Sequence, residues 1–92
     1  MELGTKMTRL SHLTNAVREI LLAHWDPIGI RDIPAAADEY DEYAPPIARM
    51  LAGGTSVAEL SSHLLEIETD VLGLKGEPAR AHQVAARLLS LA

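Results

Sequence analysis

The chain has no cysteine and no phenylalanine, and it carries only one tryptophan and two tyrosines among 92 residues. Without cysteine, neither disulfide bonds nor thiolate metal sites can hold the fold together, and the sequence has no redox signature of its compartment. With so few aromatic rings, the core has to be built from Leu, Ile, Val and Ala. This composition, 48% apolar overall, favours helices that pack closely on one another.

Long apolar runs and an excess of basic residues are also missing. No run approaches the roughly 18 apolar residues of a membrane span, and the N-terminus lacks the apolar region of a signal peptide. We therefore expect a cytoplasmic protein without a membrane partner. The formal net charge is −5, with 8 basic and 13 acidic residues. Because binding to nucleic acids depends on cationic side chains that neutralise phosphates, we expect no nucleic-acid partner.

The length is that of one small domain. We expect residues 1–92 to form a single helical domain, which at this size buries about two thirds of its extended surface. Residues 1–7 contain Gly4 and no sustained apolar pattern, so we predict a flexible tail there. The lean aliphatic core leaves both a monomer and a homodimer open.

Apolar periodicity predicts a first helix that starts near Thr8 and has its boundary at His24. Its apolar stripe consists of Leu10, Leu13, Val17 and Ile20. Pro27 explains why the helix stops, because proline disfavours helical dihedrals in the residue before it. The next apolar residues are too hydrophobic for a free loop, and we expect them to pack down on the helices with Trp25 as a plug. These residues are Trp25, Ile28, Ile30 and Ile33.

The second helix is predicted to begin near Asp41 or Glu42. Pro45 and Pro46 are tolerated only in the first turn of a helix, where backbone N–H groups have no partner in any case. Asp41 is a good N-cap, and acidic side chains are favoured at this end by the helix dipole. Gly53 is predicted to end the helix as a left-handed cap.

The third helix has the clearest start, a capping box formed by Ser56 and Glu59. Its apolar stripe is Val57, Leu60, Leu64, Ile67 and Val71. Gly73 is predicted to stop it, with Leu74 folding back on the last turn.

The fourth helix is predicted to begin at Pro78 and to run to the C-terminus, with Arg80 and Arg87 on a solvated face. Four helices with short connections after the first predict an all-α fold. We expect a small antiparallel bundle of about four helices with a packed, Trp-containing loop after the first.

The stretch from Trp25 to Tyr43 contains the tryptophan, both tyrosines and the whole charge imbalance. Between Asp26 and Tyr43 there are six acids and one base, Arg31, whereas acids and bases balance in the rest of the chain. A run of charge like this is most often a solvated loop that caps a helix. The other interpretation is a docking surface for a basic protein, with aromatic anchors. Its candidate binding residues are Trp25, Asp26, Asp38, Glu39, Tyr40, Asp41, Glu42 and Tyr43.

Three hypotheses follow for this segment. The first is a protein-binding module that docks a basic partner through residues 38–43, for example an immunity or antitoxin-like inhibitor of a basic toxin. The second is an enzyme, or a metal- or small-ligand-binding protein, that combines these carboxylates with His24 or His63. In the third, Asp26 and the acids from Asp38 to Asp41 cap the second helix and tie down the loop around Trp25.

Catalytic signatures are absent from the sequence. There is no cysteine nucleophile, no glycine-rich phosphate loop after a strand and no serine in a nucleophile elbow. His63 is flanked at helical spacing by three acidic residues, Glu59, Glu66 and Asp70. One helix supplies too few convergent ligands for a metal, and polar residues at this period usually mark a solvated face. We therefore favour binding over catalysis and assign no catalytic residue, metal or cofactor.

The stretches WDPIG at 25–29 and DEYD at 38–41 resemble a group of short, helical bacterial proteins of unknown function, in which WDPxG precedes DEYD. The similarity covers residues 13–74. It implies a helical fold and a bacterial origin, but no mechanism. The matched positions are Trp25, Asp26, Asp38, Glu39, Tyr40 and Asp41.

Overall fold

The computed structural model describes the backbone of residues 2–91 and the side chains of residues 10–91. Within these residues the chain forms four α-helices and no strand. The helices are α1 (Glu2–Ile20), α2 (Ala44–Ala52), α3 (Val57–Glu66) and α4 (Pro78–Leu89). The most extensive helix contacts join α3 to α4 and α1 to α2. The prediction of a small all-α bundle is confirmed, and no helix in residues 2–91 is long and apolar enough to span a membrane.

Two helices continue through a single π-helical turn, Leu21–Trp25 after α1 and Ile67–Val71 after α3. Such a turn contains one residue more than an α-helical turn, so it changes which side chains face the core. Val71, which the periodicity places in the core, is 63% exposed. Glu68, which the periodicity does not place there, is fully buried.

The start of α1 differs from the prediction. The helix begins at Glu2, where the sequence predicts a tail over residues 1–7, and Thr8 therefore lies inside the helix rather than at its cap. Helix formation is cooperative, and Gly4 alone costs only about 1 kcal/mol against alanine, so an established helix extends through it. Met1 lies outside the described residues.

The helix caps agree with the sequence in α3 and differ in α2. Ser56 and Glu59 form the predicted capping box. After the second π-helical turn, the N–H of Leu74 bonds to the carbonyl of Glu68 at 2.8 Å, as expected for a chain that folds back at a glycine. At the end of α2, Gly53 keeps a right-handed conformation, and the left-handed residue is Gly54 with φ of 85°.

A 3₁₀ turn, Asp41–Tyr43, leads into α2, and no side chain caps either element. The carboxylate of Asp41 instead pairs with Arg18 of α1, with 3.1 Å between Oδ1 and Nε. The prediction of Asp41 as an N-cap is therefore wrong. Because both side chains are about half exposed, this ion pair adds little stability.

The core contains residues from all four helices, from the first π-helical turn and from the connection that follows it. Its largest fully buried apolar side chains are Trp25, Tyr40, Leu21, Ile47, Leu60, Leu64, Leu88 and Val17. Two of these, Trp25 and Tyr40, are aromatic and belong to the segment with the charge imbalance. The connection between α1 and α2 is therefore part of the core.

Candidate functional site

Asp26 closes the loop that follows the first π-helical turn. Its φ of 35° places it in the left-handed region, which is unusual for a residue other than glycine but more accessible to Asp than to most residues. Its Oδ1 accepts hydrogen bonds from the N–H of Ile30 at 2.7 Å and from the Tyr40 hydroxyl at 2.8 Å. Its Oδ2 accepts one from the N–H of Arg31 at 3.1 Å. One carboxylate thus fixes the loop and attaches it to Tyr40.

The same hydrogen bonds set the acidity of both groups. Burial alone would raise the pKa of Asp26, but donors from Ile30, Tyr40 and Arg31 stabilise the charged form and bring the pKa below its ordinary value of 3.8. Burial raises the pKa of Tyr40, and the hydrogen bond and negative charge of Asp26 raise it further. The N–H of Ile28, which donates to the Tyr40 oxygen, lowers it, and the resulting pKa is about 12. Asp26 is therefore charged, and Tyr40 neutral, over the whole physiological range.

Trp25 fills the space between this loop and the helices. Only 1% of the residue is exposed, as expected for a structural plug. Its ring centroid lies 5.4 Å from that of Tyr40 and 6.1 Å from that of Tyr43, the latter pair edge to face. The three rings form one cluster, and aromatic pairs of this geometry add to the stabilisation from burial. The cluster holds residues 38–43, the acidic segment, against the core.

Glu68 is the only charged side chain buried in the part of the chain that the structure describes. Its Oε2 accepts a hydrogen bond from Trp25 Nε1 at 2.8 Å. Its Oε1 accepts from the N–H of Glu77 at 2.9 Å and from the guanidinium of Arg80 at 3.1 Å. The carboxylate thus joins the first π-helical turn to the connection before α4 and to α4 itself.

The position of Arg80 differs from the sequence prediction. We expect it on a solvated face with Arg87, but its guanidinium pairs with Glu68 and also with the carboxylate of Glu77. A buried carboxylate needs a charged partner and further donors, and Arg80 supplies the charge. The sequence held one signal for Glu68: it stands four residues after Leu64 and four before Leu72, on the flank of the apolar stripe.

The eight residues nominated from the sequence fall into two groups. Trp25 and Tyr40 are buried, and Asp26 is engaged by the loop, so these three serve the fold in this conformation. The remaining five lie at or near the surface. Asp38, Glu39 and Glu42 are exposed, whereas Asp41 and Tyr43 are partly exposed.

His24 and His63 each line a cavity, and neither of these two cavities is lined by a residue of 38–43. His63 lines an open surface cavity of about 440 Å³ together with Glu59 and Glu66 of its own helix. His24 lines a crevice of about 240 Å³ beside Gln83 and Arg87. Among residues 10–91, no three His, Asp or Glu side chains converge on a position where they could hold a metal ion.

No family model, curated protein or solved structure matches the chain. The resemblance to proteins with WDPxG and DEYD stretches therefore remains a prediction. The geometry nevertheless explains why these stretches would occur together. The aspartate of the first, Asp26, accepts a hydrogen bond from the tyrosine of the second, Tyr40.

The burial of Tyr40, together with its hydrogen bond to Asp26, predicts a loss of stability in alkali. Because folding raises the Tyr40 pKa from 10 to about 12, its stabilising contribution is complete below pH 10 and is lost as the pH rises through about 12. Tyr40→Phe should be less stable by about 1 kcal/mol at neutral pH. The difference in unfolding free energy between the two proteins should fall from pH 10 to 12 and reverse in sign, because a shift of two pKa units corresponds to about 2.7 kcal/mol. Urea titrations followed by Trp25 fluorescence measure this difference. A constant difference over that range would contradict this account.

Proposed function

We propose that the chain is a protein-binding module that docks a basic partner through the acidic segment, residues 38–43. The observation that carries this proposal is the exposure of three carboxylates without ion-pair partners, those of Asp38, Glu39 and Glu42. All three are exposed, and none forms an ion pair with a side chain that the structure describes. A basic surface could therefore approach them without first breaking an internal ion pair.

The backbone beneath these carboxylates is held in place from the inside. Consecutive bonds between residues three apart run through the segment, including Glu39 N–H to Ala36 O, Asp41 N–H to Asp38 O and Tyr43 N–H to Tyr40 O. The two tyrosines then pack against Trp25 on the core side. A surface that is ordered before binding loses less conformational entropy on association, which favours affinity.

The localised charge also favours fast and selective association. A surface that concentrates carboxylates attracts a basic partner over a distance of about one Debye length and repels acidic proteins. An immunity or antitoxin-like inhibitor that blocks a basic toxin would be a narrower form of the same function. The cytoplasmic location expected from the sequence is compatible with either form.

Affinity capture from a native extract tests the proposal when two variants of equal charge are compared. The first neutralises the segment with Asp38→Asn, Glu39→Gln and Glu42→Gln. Asp41 is retained because it pairs with Arg18. The control removes the same charge at exposed positions elsewhere, with Glu19→Gln, Glu66→Gln and Asp70→Asn.

We expect a basic protein to be retained by the wild type and by the control, to be lost from the segment variant, and to dissociate as salt is raised. Retention of the same partner by all three proteins would place the contact elsewhere. Equal loss from both variants would indicate an effect of net charge alone. Either of these results would contradict the proposed docking surface.

A further inference from the structure

Two isoleucines in the connection between α1 and α2 remain exposed although their neighbours are buried. The sequence predicts that Trp25, Ile28, Ile30 and Ile33 all pack onto the helices. Trp25 and Ile30 do so, but Ile28 is 42% and Ile33 is 49% exposed. Of the described residues, the exposed large apolar side chains are Leu10, Ile28, Ile33 and Val71. Half of them therefore occur in the segment that also carries the charge imbalance.

Both isoleucines are attached to the acidic segment through the backbone. The N–H of Ile28 donates to the hydroxyl of Tyr40 at 3.2 Å. The carbonyl of Ile33 accepts from the N–H of Ala36 at 2.9 Å, and the turns that follow reach Asp38. Ile33 and Asp38 are five residues apart, so even a fully extended chain would separate their Cα atoms by no more than about 18 Å, and the turns between them shorten this distance. An apolar contact and a charged contact thus lie within the reach of one partner.

We propose that the docking surface extends from the acids over Ile28 and Ile33, and that its occupant is a basic amphipathic helix of another protein. This inference rests on the proposed function and specifies the chemistry of the partner. Lys or Arg side chains would face Asp38, Glu39 and Glu42, and apolar side chains on the same face would cover the two isoleucines. Amphipathic helices present such mixed faces through residues three and four apart.

Charge argues for a different protein rather than a second copy of this chain. In a two-fold symmetric dimer the same patch lies on both sides of the interface. The exposed carboxylates of Asp38, Glu39 and Glu42 would then lie on both sides of the interface, and like charges in an interface are strongly unfavourable. A basic helix offers the opposite charge and an apolar face together.

Two synthetic helical peptides of equal length and equal lysine content test the inference. One carries leucine at the positions between its lysines on one face, and the other carries serine there. The dissociation constants of both are measured by calorimetry against four proteins. These are the wild type, the neutral segment variant described above, Ile28→Ser with Ile33→Ser, and a matched control with Leu10→Ser and Val71→Ser. Circular dichroism of each protein confirms that it is folded.

We expect the wild type to bind the leucine peptide about tenfold more tightly than the serine peptide, since covering two half-exposed isoleucines removes apolar surface from water. The isoleucine variant should bind both peptides equally and with unchanged salt dependence, whereas the control should keep the preference. A preference that survives in the isoleucine variant, or self-association of the wild type through the same residues in sedimentation, would overturn the inference. Unweakened binding of both peptides by the neutral segment variant would refute the proposed function instead.

Discussion

Glu68→Ala is expected to lower the free energy of unfolding by about 3–5 kcal/mol, because it leaves two buried N–H donors unpaired at about 1–3 kcal/mol each and truncates a fully buried side chain. The loss should be this large because the carboxylate serves three donors at once: Trp25 Nε1, the N–H of Glu77 and the guanidinium of Arg80. Without it, the indole N–H and the N–H of Glu77 lose their acceptor in a site that water does not reach freely, since Glu68 itself is fully buried, whereas Arg80 keeps its ion pair with the Glu77 carboxylate. Small domains have total stabilities of about 5–15 kcal/mol, so the change would remove a large fraction.

The single tryptophan allows a direct measurement, because urea unfolding can be followed by the fluorescence of the ring that Glu68 contacts. Glu66→Ala is the matched control, since Glu66 is exposed near the end of α3, two residues before Glu68. We expect it to change stability by no more than about 0.5 kcal/mol. Glu68→Gln should fall between the two, because the amide keeps one acceptor oxygen and loses the charge. A Glu68→Ala effect as small as that of the control would mean that Arg80 and Trp25 find other partners.

Much of the fold could be predicted from local signals in the sequence. The capping box at Ser56 and Glu59 depends only on residues three apart, and the stop at Gly73 depends on the conformational freedom of glycine. Apolar residues at helical spacing located all four helices. These features need no knowledge of distant contacts, which is why they were predictable.

The two π-helical turns could not be predicted in this way. Each turn changes which of the nearby side chains face the core. An apolar stripe assigned at a constant helical period therefore no longer matches the buried residues there, as Val71 shows. A hydrogen bond also joins the two turns across parts of the chain that local patterns do not connect. Trp25 ends the first turn and Glu68 lies in the second, and the hydrogen bond between them joins residues 43 positions apart.

The sequence predicted which residues belong to the candidate site, but not which of their side chains face the core and which face solvent. The acids of residues 38–43 stand together in the sequence, yet Tyr40 points into the core and its neighbours Asp38 and Glu39 are exposed. The decisive contact is the hydrogen bond between Tyr40 and Asp26, a residue in the left-handed conformation. No periodicity indicates such a conformation, so the sequence could not separate the fold-stabilising residues from those left available to a partner.

Trp25→Ala is expected to destabilise the protein by about 3–5 kcal/mol, the range for truncating a fully buried aromatic side chain. The ring packs against Tyr40 and Tyr43 and donates to Glu68, so its loss removes apolar contacts and a hydrogen bond together. Trp25→Phe separates the two contributions, because it keeps an aromatic ring but lacks the indole N–H. The phenylalanine variant should lose about 1–3 kcal/mol through the unpaired carboxylate oxygen, in addition to a smaller packing loss.

These variants lack the fluorescent reporter, so unfolding is followed by circular dichroism of the helices. A double-mutant cycle between Trp25→Phe and Glu68→Ala, each of which removes the hydrogen bond, then isolates their interaction, which for residues in direct contact amounts to about 0.5–3 kcal/mol. Additive effects in the cycle would contradict a shared hydrogen bond, even if each single variant were unstable. A measurable coupling would instead mean that the two π-helical turns stabilise each other through this bond. The acidic segment would then depend on it as well, because Tyr40 and Tyr43 rest on the ring that Glu68 holds in place.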